Sequence, residues 1–572
     1  MTSDAFDLVG LTPAQREAVV ADDPVICLLA GAGAGKTRVL TLRVARRAHD
    51  GSARADRVLV CTFSRKAAEE LRRRLWVLGV GDVRAGTFHR TALQLLRRYH
   101  ADRGGAAPQV LPDRRSVLAQ VLATAPANGG GRRQPKVGQV EAEIGWAKAR
   151  LIGPEEYEEQ ARRHQRRPGG GAAAMADLYA RYEEARQRRR ALDLDDLLWQ
   201  AADLLADDPA FAAAVRWRDR HLFVDELQDV NAAQFRLLRL LAGDEPDLFV
   251  VGDPNQSVYG WNGADPALMD RLPDVFPGTR VLRLDLNHRC SPQVVSVAAA
   301  ALGLAPSGIG EAGGPTSSRA DAAVPRVAAL DTDDQEARWV ARQAWLAHRP
   351  GRRWDQIAVL ARTNSQLQAV AGAMRAERVP ARLAEPAAGP ASDVRTRWAA
   401  DGRPVVQPVG DDLKPGTGGA VAAERDDPGD GDGGVDEDQD AVVLTTFHRA
   451  KGLQWPAVFV VGLSDGLVPI GSARSAAARD EERRLLYVAL TRAEADLTCS
   501  WARWPDERSM EDGAPPRAPS PWLGEVERTC GELDAAQAPA SADQVAARFA
   551  DLRARVVPSA SEGSAGEGSA SE

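Results

Sequence analysis

The stretch PVICLLAGAGAGKT, residues 24–37, decides how the rest of the chain is read. An apolar run, VICLL, breaks into alternating glycine and alanine and is followed by an expected helix. A buried strand that turns through glycines into a helix is the arrangement that cradles phosphate. Gly31, Gly33 and Gly35 let backbone N–H groups converge on an anion, and the helix that follows presents its positive end. In Ala30 to Thr37, Lys36 would reach the β- and γ-phosphates and Thr37 would hold Mg²⁺. Ala30 stands where the strict G-x-x-x-x-G-K-[ST] pattern has its first glycine.

A second stretch, HLFVDELQD (221–229), supplies what such a loop needs. Asp225 and Glu226 end another apolar run, where one carboxylate can coordinate Mg²⁺ and the next can orient and deprotonate an attacking water. Further short runs, RVLVCTFS, DLFVVGDPNQ, IAVLART, AVVLTTFH and AVFVVGL, alternate with amphipathic helical stretches. Strand and helix in alternation mean parallel sheets covered on both faces, an α/β architecture. The runs fall into two groups, before and after about Pro277, so two lobes are expected. Residues 98–189 read as mainly helical, an insertion in the first lobe.

Bulk properties set limits on this picture. The 572 residues suffice for several domains, and 44% hydrophobic with 27% charged is a globular balance. No apolar run approaches the ~18 residues that span a bilayer. The N-terminal MTSDAFDLVG lacks the basic flank and apolar stretch of a secretory signal, so a cytoplasmic location is expected. Five scattered cysteines, never at C-x-x-C spacing, argue against a disulfide framework, a zinc knuckle or an iron–sulfur cluster and read mostly as small buried hydrophobes. The net charge of −7 conceals a segregation, because Glu424 to Asp440 holds nine acidic residues and one arginine and the remainder carries +1. Basic clusters at 65–75, 162–167 and 186–190 read first as solvated helix faces. Asp426 to Glu437 comes near a calcium-loop pattern, but Pro428, Gly433 and the lack of flanking helical sequence argue against it. Residues 385–440 and the tail from Pro558 lack apolar surface and are expected to be disordered.

The motifs LTPAQREAV, AGAGAGKT, TFSRKAAEELRRRL, GTFHRTALQLLR, DELQDVNAAQ, GDPNQSVYGWNGA, LNHRCSP, TFHRAKGLQWPAVFVVGL and EERRLLYVALTRA follow one another in this order. In order and character they resemble the UvrD/Rep-type superfamily 1 DNA helicases over about residues 8–525. The resemblance implies two RecA-like lobes of the P-loop NTPase class. They divide as first lobe 1–97 and 190–277, helical insertion 98–189, second lobe 278–384 and 441–525, linker 385–440 and C-terminal extension 526–572. It implies catalytic roles for Lys36, Asp225, Glu226, Gln256, Arg289 and Arg492, the two arginines reaching from the second lobe to the γ-phosphate. It places nucleotide contacts at Gln15, which would read the adenine, at Ala30, Gly31, Ala32, Gly33, Ala34, Gly35, Lys36, Thr37 and Arg38, and at His288 and Gln454. Thr37 and Asp225 would hold Mg²⁺. DNA contacts are implied for Phe63, His89, Tyr259, Trp261, Arg362, Asn364, His448 and Lys451.

The implied activity is ATP-driven 3'→5' movement on single-stranded DNA or a 3'-tailed duplex, in repair or replication, by a monomer that could also dimerise. Two other readings stand beside it: a DNA-stimulated ATPase and translocase that unwinds little, and a nucleotide-switched scaffold. Three positions depart from the family pattern: Asn262 for arginine, His288 for a tyrosine that stacks on adenine, and Gln454 for the glutamate of KGLE. The second accessory subdomain of such helicases is replaced here by the short interval 385–440.

Overall fold

The computed structural model describes residues 8–124, 135–304, 316–384, 394–398, 404–408 and 440–537. Its frame is two parallel six-stranded sheets, the two RecA-like lobes the sequence implies. The first sheet runs in spatial order Arg84–Thr87, Val58–Thr62, His221–Val224, Leu248–Gly252, Val25–Ala30 and Arg280–Leu284. The second runs Arg326–Thr332, Ala493–Trp504, Trp455–Val460, Ile357–Ala361, Val442–Thr446 and Ala381–Leu383.

Packing on both faces explains why the inner strands are buried along their length, while the edge strands Arg280–Leu284 and Arg326–Thr332 are partly exposed. In the first sheet Val25, Cys27, Leu59, Cys61, Leu222, Val224, Leu248 and Val250 face one helical layer. Their neighbours Ile26, Leu28, Val58, Val60, Phe223, Phe249 and Val251 face the other. The second sheet repeats the pattern, with Ala358, Leu360, Val458 and Val460 on one side and Ile357, Val359, Ala457 and Phe459 on the other. Each Val, Leu or Ile so buried contributes about 1.5–3 kcal/mol relative to exposure. All five cysteines are buried and free, and burial raises the Cys27 and Cys61 thiols to about 12, so the expectation of inert hydrophobes holds.

The helices Arg115–Thr124, Val137–Ala149, Pro154–Arg163 and Ala172–Arg188 form the insertion around their own core of Val117, Leu118, Val140, Ile144, Trp146, Tyr157, Tyr179 and Tyr182. Beside that core, Lys148 is 2% exposed and lies 2.7–2.8 Å from carboxylate oxygens of Glu183, Asp193 and Asp196. The three carboxylates stand close enough to hold a metal, but the ammonium already sits among them. The basic clusters are largely paired on helix surfaces, Arg162 and Arg163 with Glu159, and Arg188 with Glu184.

Several expected boundaries move. Arg280–Leu284 pairs with Val25–Ala30, so the first sheet reaches past residue 277. The helix Phe88–Asp102 crosses the expected division at 97/98. The expected C-terminal extension begins inside the helix Leu523–Gln537, whose Leu523, Val526 and Cys530 pack into the second lobe. Within 385–440, Val394–Trp398 and Pro404–Pro408 pair antiparallel where disorder is expected. The rest of that interval except Asp440, with the acidic run, and the tail from Pro558 lie outside the described residues. Among the described residues no helix is long and apolar enough to cross a membrane.

Candidate functional site

The phosphate loop joins the strand Val25–Ala30 to the helix Lys36–His49, whose N-terminus has no side-chain cap and therefore offers its N–H groups to an anion. Gly33 and Gly35 adopt φ of +69° and +88°. A Cβ on Gly33 would stand 2.5 Å from Asn287 Oδ1 and 2.7 Å from the Arg289 Cβ, so the loop needs glycine here for both conformation and space. The His288 N–H donates to the Gly33 carbonyl at 2.9 Å. The segment leading into the second lobe thus rests directly on the loop of the first. Gly31 carries no such requirement, with nothing within 4 Å of an added Cβ.

Lys36 is buried, its Nζ donating to the Ala30 carbonyl at 3.4 Å. The Thr37 hydroxyl lies 3.5 Å from Asp225 Oδ2. Asp225 and Glu226 follow the strand His221–Val224, and Glu226 takes φ of +56°, a costly conformation for a residue with a Cβ. The Gln228 amide donates to the Glu226 carboxylate. Burial, with Glu226 alongside, raises the Asp225 carboxyl, whereas Lys36 and Lys451 overcome burial and keep Glu226 ionised. A hydroxyl and a carboxylate that the fold leaves incompletely neutralised form a hard-oxygen donor set that fits Mg²⁺.

Gln15 is 2% exposed; its amide donates to the Ala34 carbonyl at 2.9 Å and lies 3.2 Å from His288 Nε2. His288 in turn meets the Ser318 hydroxyl at 2.8 Å. Gln256 donates to Asp253 at 2.7 Å. Arg492, 1% exposed, donates to the carbonyls of Val488 and Leu453 at 2.8 and 3.1 Å and to the Thr491 hydroxyl at 3.1 Å. Burial, followed by the neighbouring Arg289 charge, lowers its guanidinium to about 9. The Arg289 Nε is buried with no hydrogen-bond partner. Two adjacent guanidinium groups, one with an unmatched donor, make a site that calls for an anion. Arg38 and Gln454 are exposed.

The candidate nucleic-acid residues fall into two groups. Phe63 stacks on Tyr259 at 4.8 Å between centroids and 22° between planes. Tyr259 meets Trp261 edge-on at 6.1 Å, and Trp261 is 62% exposed. Lys451 belongs with these rings, its Nζ lying 5.1 Å from the Tyr259 centroid. It also pairs with Asp229 at 2.6 Å and donates to the Gln256 carbonyl at 2.7 Å, crossing from the second lobe to the first. In the second group Arg362 pairs with the buried Glu482 at 2.6 Å. Burial and the Arg362 charge lower the nearby His448 to about 4. Asn364 is exposed at the start of its helix, while His89 is buried in the first lobe. Sequence reading missed Asp229, Asp253 and Arg484, the last donating from the second lobe to the Ser257 carbonyl at 2.8 Å. Asp229 and Asp253 lay within quoted motifs, but nothing in their spacing announced their partners.

The family comparisons match these same parts of the chain. A model described as the UvrD/REP helicase N-terminal domain matches residues 11–277, and one described as the UvrD-like helicase C-terminal domain matches 430–504. The chain is similar to a Mycobacterium tuberculosis protein named ATP-dependent DNA helicase UvrD2, 35% identical over 86% of this chain and 79% of that one. It is also similar to DNA helicase II of Escherichia coli, 28% identical over 92% and 89%. The first domain match carries the phosphate loop, the carboxylate pair and the Tyr259 loop, the second carries Lys451 and Arg492, and both lie on the sheets that frame one cleft. The chain therefore belongs to the UvrD/Rep helicase family.

Proposed function

We propose that the protein is an ATP-dependent DNA helicase and translocase that hydrolyses ATP between its two lobes and steps 3'→5' along single-stranded DNA, in repair or replication. The observation that carries this reading is the meeting of Arg289 from the second lobe with the phosphate loop of the first, with one of its guanidinium donors unmatched and the charge of Arg492 beside it. A triphosphate held there would bridge the lobes, and its cleavage would let them part.

Each side chain has a task that follows from its place. Lys36 and the loop N–H groups take the β- and γ-phosphates. Thr37 and Asp225 would hold Mg²⁺, which supplies charge neutralisation at the phosphate oxygens. Glu226, kept ionised by Lys36 and Lys451, accepts the proton of the attacking water as the γ-phosphorus bond to the departing ADP oxygen breaks. Arg289 and Arg492 stabilise the charge that develops on the transferred group. Gln15 and His288 sit together beside the loop, in place to contact the base. Phe63, Tyr259 and Trp261 supply faces on which any base can stack, worth ~1–3 kcal/mol each. Because Lys451 touches both the Gln256 peptide and the Tyr259 ring, a change at the γ-phosphate is conveyed to the stacking surface through one side chain.

The test is ATP hydrolysis with and without single-stranded DNA, next to strand displacement on 3'- and 5'-tailed duplexes. Hydrolysis stimulated by DNA, abolished by Lys36→Ala, with displacement from the 3' tail supports the proposal; no DNA-stimulated turnover defeats it. A second reading, a translocase that unwinds poorly alone, is favoured by the shortness of the 385–440 interval, and stimulated hydrolysis without displacement at saturating ATP would select it.

A further inference from the structure

The loop that follows Gln256 is held from two directions at a single residue, through the peptide groups on either side of it. The Gly260 N–H donates to Glu481 Oε1 of the second lobe at 2.8 Å. Its carbonyl accepts from Arg150 Nη2 of the helical insertion, also at 2.8 Å. Neither partner is loosely placed. A Cβ on Gly260 would lie 2.5 Å from Glu481 Oε2, so any larger residue there would push that carboxylate aside. Arg150 stacks over Trp146 at 4.9 Å and donates to the Trp146 carbonyl at 3.2 Å, which pre-sets its guanidinium. Its helix is anchored two residues back, where Lys148 is buried among three carboxylates and its carbonyl accepts from Trp199 of the first lobe at 2.9 Å. The same helix end presses on the loop again, since a Cβ on Gly263 would stand 2.7 Å from the Ala149 Cβ.

We propose that Arg150 and Glu481 are positioning residues that clamp Gly260 between the insertion and the second lobe, and so set the aromatic surface of Tyr259 and Trp261 for single-stranded DNA. The two rings belong to the residues on either side of the clamped glycine, so releasing either side lets them turn. The insertion then supplies the fixed jaw and the second lobe the one that travels. This inference rests on the proposed function, which gives those rings their role.

The experiment titrates ATP hydrolysis by the full chain with oligo-dT. For Arg150→Ala the half-saturating oligo-dT concentration rises about tenfold, the effect of losing a charge-assisted hydrogen bond that orders the binding surface. Hydrolysis without DNA changes less than about twofold, because the clamp does not touch the phosphate loop. Arg150→Lys, which can still donate to one carbonyl, recovers part of the shift. Glu481→Ala reproduces it from the other jaw, whereas Glu481→Gln, which retains an acceptor, stays near the parent. Unchanged half-saturation in both alanine variants overturns the clamp, as does a parallel fall in basal and stimulated rates, the mark of a structural role alone. If the parent protein is not stimulated by oligo-dT at all, the proposed function fails first and this inference with it; stimulation in the parent with unaltered alanine variants defeats the inference only.

Discussion

At the residue scale, Gly33 shows how one position can bind two lobes together. Its φ of +69° and the nearness of Asn287 and Arg289 leave no room for a methyl group. Gly33→Ala is expected to leave each sheet folded but to push the second-lobe arginines off the loop, lowering ATP turnover at least tenfold, about 1.4 kcal/mol in the barrier; steady-state hydrolysis alongside a thermal melt checks this. His448 offers a pH-dependent test. Burial, with Arg362 nearby, lowers it from 6.5 to about 4, so between those values the unfolded chain binds a proton that the folded chain does not. Its contribution is therefore whole above about pH 6.5 and declines as pH falls toward 4. Urea unfolding at a series of pH values should show His448→Gln losing less stability than the parent across that window, and parallel curves would contradict the assignment.

At the scale of elements, the insertion is held by charge as much as by its core. Lys148 is fully paired with Glu183, Asp193 and Asp196, and despite burial those carboxylates hold its ammonium well above the ordinary lysine value. Removing one partner of a buried ionic group leaves the rest uncompensated, at a cost of ~3–5 kcal/mol. Lys148→Met should thus loosen the insertion, read as faster limited proteolysis within residues 137–188 while the strand cores stay protected. The strands behave in the opposite manner. Their alternation between two apolar layers spreads stability over many side chains, so a single conservative change such as Val250→Ala should lower stability by about 1–3 kcal/mol without altering register.

At the scale of the molecule, the two lobes share no sheet; Ala32 and Val258 of the first pack against the core of the second, and polar contacts cross beside them. Lys451 on the Gln256 carbonyl, Arg484 on the Ser257 carbonyl and Glu481 on the Gly260 N–H all cross the cleft to one loop, and Lys451 also reaches Asp229 on the neighbouring turn. Such contacts can break and re-form without unfolding either lobe, as a stepping cycle requires. The segment 385–440 leaves after the strand Ala381–Leu383 and returns to its parallel neighbour Val442–Thr446, so it closes a loop on one edge of the second sheet. Replacing 425–440 with a neutral Gly/Ser linker of equal length should keep DNA-stimulated hydrolysis within about twofold, since loop closure depends weakly on composition. Loss of stimulation would show that the acidic run takes part in the cycle.

The sequence alone carried whatever depends on local period and local chemistry. Short apolar runs alternating with helical stretches pointed to strands buried on both faces, the glycines before Lys36 to an anion-binding loop, and the position of Asp225 and Glu226 after an apolar run to a strand end. Their motif order was enough to imply the family. What the tertiary structure decided was pairing across long separations. That Lys451 would meet Asp229, that Arg289 would lean on Gly33, that Arg150 would reach Gly260 from an inserted helix, and that Arg280–Leu284 would complete the first sheet are facts of three-dimensional approach. Periodicity fixes which face a side chain points from, but burial and charge choose its partner only once distant elements have been brought together.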